Sequence, residues 1–111
     1  MDPRERLRRL AFDQLPADAW GKASAGARSG RPLDAKTVSL ARLAALVAIG
    51  GGAGPSYGQL ADDALSAGAT VEEIVDVLVE LLPVVGRVRV VAAAPALALA
   101  LGLDTDDLPQ A

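Results

Sequence analysis

The run Thr70-Val71-Glu72-Glu73 constrains this chain more than any other feature. A threonine hydroxyl can accept from the backbone N–H three residues on, while that residue's carboxylate reaches back to the threonine N–H. Such a reciprocal cap starts a helix, and the apolar residues that follow recur at helical spacing. Val71, Ile74, Val75, Leu78, Leu81, Leu82 and Val85 are predicted to form one buried face. The same kind of start occurs at Asp2-Pro3-Arg4-Glu5, at Asp34 and at Ser56-Tyr57-Gly58-Gln59. A chain with four helix starts and no convincing strand is predicted to be all-α.

Between these starts the elements read as follows. The first helix carries Leu7, Leu10, Ala11 and Leu15 on one face and breaks before Pro16. A second, short helix covers residues 17–27 around Trp20, and residues 28–32 form a loop. Asp34 opens a helix that runs to Ile49. Its only polar residue between Leu40 and Ile49 is Arg42, so burial on nearly all sides is expected. The glycines at 50–52 and 54 end it, Ser56 opens a helix that stops at Gly68, and Gly86 ends or bends the helix begun at Thr70. The last helix spans about Arg87 to Leu101, with Pro95 expected to kink or divide it. The alternation Leu97-Ala98-Leu99-Ala100-Leu101 mimics a strand, but Ala and Leu are strong helix formers and no partner strand exists. The expectation is one domain over residues 1–111, with N-terminal helices at 1–28 and a helical core at 33–103, five or six helices in all.

At 111 residues the chain can bury one real core. Its residues are 51% hydrophobic but only 3% aromatic, so the apolar mass is Ala, Leu and Val. A small domain has little interior in which to hide so much apolar surface, and an oligomer is expected. Cysteine and histidine are absent, which removes thiolate nucleophiles, disulfides and imidazole acid–base catalysis. Most transition-metal ligation goes with them, and no cofactor is expected. A net charge of −3 argues against nucleic acid as a partner. The apolar stretch from Val90 to Leu103 is too short to span a membrane and no secretory pattern follows the basic N-terminal run, so a cytoplasmic location is expected.

Three segments in order carry a family resemblance. They are Leu33-Asp34-Ala35-Lys36-Thr37 with the helix from Ser39 to Leu46, the run from Ala64 to Ile74, and Val84-Val85-Gly86-Arg87. Together they resemble the carboxymuconolactone decarboxylase family, which includes the AhpD-like alkylhydroperoxidases. The resemblance implies an all-helical bundle that assembles as a trimer or hexamer. It also implies where reactive groups would sit: a cysteine pair at positions 53 and 56, and a histidine at position 60. Here those positions hold Ala53, Ser56 and Leu60, so disulfide-cycling peroxidase chemistry is excluded. Decarboxylation through a histidine at position 60 is unavailable as well.

The remaining candidates each carry two readings. Ser56 is either a helix cap, given Gln59 three residues on, or a nucleophile needing Lys22 or Lys36 nearby. Arg42 either forms a salt bridge or anchors a substrate carboxylate. Glu73, Asp76, Glu80 and Arg87 fall within an arc of about 60° at 100° per residue. That arc is either a solvated face or a pocket mouth, with Glu80 as general base and Arg87 as anion clamp. Asp62 and Asp63 are adjacent and point apart, so they cannot form a catalytic pair. Tyr57 either packs in the core or donates a proton. Two functions follow. One is conversion or binding of a small carboxylate or lactone in an inter-helix pocket, with Arg42 or Arg87 as anchor and Glu80 or Tyr57 moving a proton. The other is a catalytically silent oligomeric scaffold.

Overall fold

The computed structural model describes residues 2–14, 31–51, 56–104 and 106. Five helices and no strand are found among them: α1 (Pro3–Ala11), α2 (Ala35–Ile49), α3 (Tyr57–Ser66), α4 (Val71–Val85) and α5 (Arg87–Ala100). The helix expected at 17–27, with Trp20, lies outside the described residues.

The predicted starts form as side-chain caps. Asp2, Asp34, Ser56 and Thr70 accept from the backbone N–H of Glu5, Thr37, Gln59 and Glu73, at 2.7, 2.7, 3.1 and 3.1 Å. Only Thr70 completes the reciprocal box, with Glu73 accepting from the Thr70 N–H at 2.8 Å. At Ser56 the hydroxyl half of the expected box is made. α1 ends well short of Pro16: Phe12 caps it and Asp13 turns to a φ of 57°. Asp is one of the few residues that tolerates this left-handed geometry.

α2, α3, α4 and α5 each pack against the other three. Their shared core is Leu43, Leu46 and Val47 from α2, Leu60, Ala61 and Ala64 from α3, Ile74 and Leu78 from α4, and Val90, Ala93 and Leu97 from α5. Ala61, Ala64 and Ala93 are almost fully buried. Their small side chains let helix backbones come close, which is how an interior with so few aromatics fills. α1 contributes no buried residue.

Two expectations need correction. α2 is not buried all round: Ala41, Arg42, Ala45 and Ile49 are exposed, because neighbours cover only the Leu43–Val47 side. Val75 and Leu82, assigned to the buried face of α4, are exposed, since α5 crosses on their flank without covering them. Of the kink or division expected at Pro95, the division does not occur: α5 is one helix from Arg87 to Ala100, with the Val91 carbonyl lacking its usual donor. Gly86 separates α4 from α5 with φ 85° and ψ 168°, a combination essentially confined to glycine. None of these helices is long and apolar enough to cross a membrane.

Candidate functional site

At the corner where α2 ends and α3 begins, Gly50 takes a left-handed φ of 82° and closes α2. Arg89 of α5 lies over this turn and donates to the Ile49 carbonyl at 3.2 Å. A Cβ on Gly50 would run into that guanidinium. The contact places a cation at the negative end of the α2 dipole. Tyr57 is half-buried beside it and packs on the core. Burial pushes its phenol above the ordinary tyrosine range, and the charge of Arg89 partly offsets this. The Ser56 hydroxyl accepts from the Gln59 N–H, which is the cap reading of that residue. Leu60 is 7% exposed and belongs to the core, so the position where the family resemblance implies histidine is here a packing residue. Ala53 lies outside the described residues.

Two grooves flank α4. The first, about 420 Å³, runs between α2 and α4 over a floor of Leu40, Ala41, Ala44, Val77 and Leu81. Glu73, Asp76 and Glu80 stand along it. Lys36 reaches across from the start of α2 to Glu73, Nζ to Oε2 at 2.7 Å. That hydrogen bond, and then the Thr70 N–H, hold the Glu73 carboxyl below the usual carboxylate range. Lys36 is thereby committed to Glu73. The second groove, about 320 Å³, lies between α4 and α5 and is lined by apolar residues alone. Val75, Leu78, Val79 and Leu82 face Val90, Ala94, Leu97 and Ala98, with Leu101 and Leu103 at one end.

The expected site residues fall in different places. Glu80 lines the first groove; Arg42, Tyr57 and Arg87 line neither. Arg42 is exposed and makes no ion pair among the described residues. Arg87 drops out of the acidic stripe because Gly86 interrupts the helix before it, which resets the 100° count. Among the described residues, no three carboxylates gather in a way that could hold a cation. Sequence reasoning passed over Arg89 and the α4–α5 groove. The groove had a visible signal, since beyond Arg87 and Arg89 the α5 sequence has no polar side chain at all.

The sequence profile of the carboxymuconolactone decarboxylase family matches residues 14–99, more than half of the chain. No curated protein and no solved structure gives a significant match.

Proposed function

The chain belongs to the carboxymuconolactone decarboxylase family, and from that premise we propose that it works as a non-redox homo-oligomer whose subunits meet through the outer surface of α4 and α5. One observation carries this reading: α5 is apolar on opposite faces. Val90, Ala93 and Leu97 are buried, while Val88, Val91 and Leu99 are 82%, 61% and 71% exposed. At 100° per residue the outer three form one stripe with Pro95, continuous with the α4–α5 groove. A helix apolar all round is ordinarily buried all round. Covering a valine or leucine fully is worth about 1.5–3 kcal/mol, so this surface favours a second subunit over water. The residues at positions 56 and 60 support a structural role, one as a cap and one as core.

Light scattering on the eluting protein tests the proposal. The wild-type chain is expected to run as a multimer, and Val91→Asp combined with Leu99→Asp is expected to yield a smaller species of unchanged helix content. A wild-type chain that stays monomeric at tens of micromolar would sink the proposal.

A second reading, binding of a small carboxylate or lactone, is favoured by the corner where Arg89 and Tyr57 meet. In that reading Arg89 is the anchor and Tyr57 moves a proton, while Arg42, Arg87 and Glu80 would serve only a ligand bound away from this corner. A ligand at a hundred times its Kd stabilises the fold by about 2.7 kcal/mol, visible in a thermal melt. A shift with small carboxylates that disappears in Arg89→Met, Arg42→Met or Arg87→Met identifies the anchor. A flat response across the panel leaves only the assembly role.

A further inference from the structure

α1 is an amphipathic helix whose apolar side is exposed, and the groove between α2 and α4 has an apolar floor that none of the other described helices covers. Leu7 and Leu10 are 65% and 54% exposed. They share one face of α1 with Ala11, and Arg4 and Arg6 flank that face on either side at 100° per residue. On the back of the helix, Glu5 pairs with Arg8 at 3.0 Å and with Arg9 at 3.2 Å, so the back is largely self-neutralised. Arg4 and Arg6 make no ion pair among the described residues. The groove is the electrostatic complement. Lys36 occupies Glu73 at one end, and Asp76 and Glu80, one helical turn apart, are left exposed and unpaired among the described residues. Lengths agree as well. The acidic side of the groove runs from Glu73 to Leu81 and α1 has nine residues, each about 13 Å at 1.5 Å per residue.

We propose that α1 of a second copy docks in the α2–α4 groove, with Leu7 and Leu10 on the Leu40–Ala44 floor and its arginines against Asp76 and Glu80. The occupant is another copy's helix because no residue of the chain's own α1 is buried, and its leucines stay exposed. This contact uses the opposite side of α4 from the α5 face and does not rest on that interface.

The absence of native cysteine makes the test direct. Chains carrying Leu10→Cys alone and Ala41→Cys alone, one of them mass-tagged, are mixed and mildly oxidised. Both positions are exposed, so neither thiol disturbs the core. With equal amounts of the two chains, the mixed disulfide is expected to exceed clearly the twofold excess over either homodimer that random pairing gives. Adding Arg4→Glu and Arg6→Glu to the first chain is expected to cut its yield about tenfold, from two lost and reversed pairs. Asp76→Arg and Glu80→Arg in the second chain are expected to restore it. The mixed cross-link should also persist in the Val91→Asp and Leu99→Asp background, which separates it from the α4–α5 interface. Random pairing overturns the proposal. So does cross-linking confined to a single chain carrying both cysteines, which would assign the groove to its own α1. A yield indifferent to the charge reversals overturns it equally.

Discussion

Leu97 and Leu99 sit two residues apart in α5, one 2% and the other 71% exposed. The helix treats them alike: same side chain, same propensity, same apolar neighbourhood in sequence. What separates them is 200° of rotation, which turns one toward α2 and α3 and the other away from the bundle. The two sides of α4 show the same contrast with charge added. Toward α2 the groove carries three carboxylates, while toward α5 its lining is hydrocarbon. Among the described residues, exposed large hydrophobics outnumber buried ones. Hydrophobicity alone therefore does not mark the core of this molecule.

The largest expected effect sharpens that contrast directly. Leu97→Ala should cost about 2–5 kcal/mol in urea unfolding. Leu99→Ala should stay within about 0.5 kcal/mol when both are measured on dissociated chains. Equal costs would break the distinction between the two faces. Next come the caps that set the helices in place. Thr70→Ala should cost about 1–2 kcal/mol, and Ser56→Ala about 1 kcal/mol or less, because only Thr70 has a reciprocal partner. Thermal melts read both.

Smaller effects probe the polar ends. The phenol of the chain's only tyrosine should titrate above free tyrosine by ultraviolet absorbance. Arg89→Leu should move it higher still, since the arginine charge favours the phenolate. A downward move would mean Arg89 stands elsewhere. The smallest effect concerns Glu73, whose folded pKa is depressed first by Lys36. A depressed carboxylate adds stability above its unfolded pKa and loses it as pH falls through the folded value. Both side chains are 38% exposed and screened by water, so the gain is slight. Lys36→Met should raise the Glu73 midpoint in an NMR titration and leave the neutral-pH melt nearly unchanged.

Helix starts were legible because each is a local event: a side-chain oxygen and an N–H three residues on, both written within four letters. Thr70, Ser56, Asp34 and Asp2 all cap their helices, although only Thr70 completes the reciprocal box. Helix ends and faces were less so. The residues of α4 that meet α5 depend on where α5 crosses, which no periodicity encodes, so helical spacing puts Val75 and Leu82 in the interior although both are exposed. Arg89 escaped notice for the same reason. Its partner is the Ile49 carbonyl, forty positions away. Glu80 could be placed on the acidic stripe, but only the break at Gly86 shows that Arg87 leaves it.

The sequence by itself determined the helical class, the caps, and the loss of thiol and imidazole chemistry, since these follow from residue identity and spacings of three to four. Tertiary structure alone decided which half of α5 lies inside, which carboxylate Lys36 takes, and that the two sides of α4 differ in kind. Those outcomes depend on crossing geometry between segments far apart in the chain, where side-chain volume and the approach of backbones, not local pattern, set what touches what.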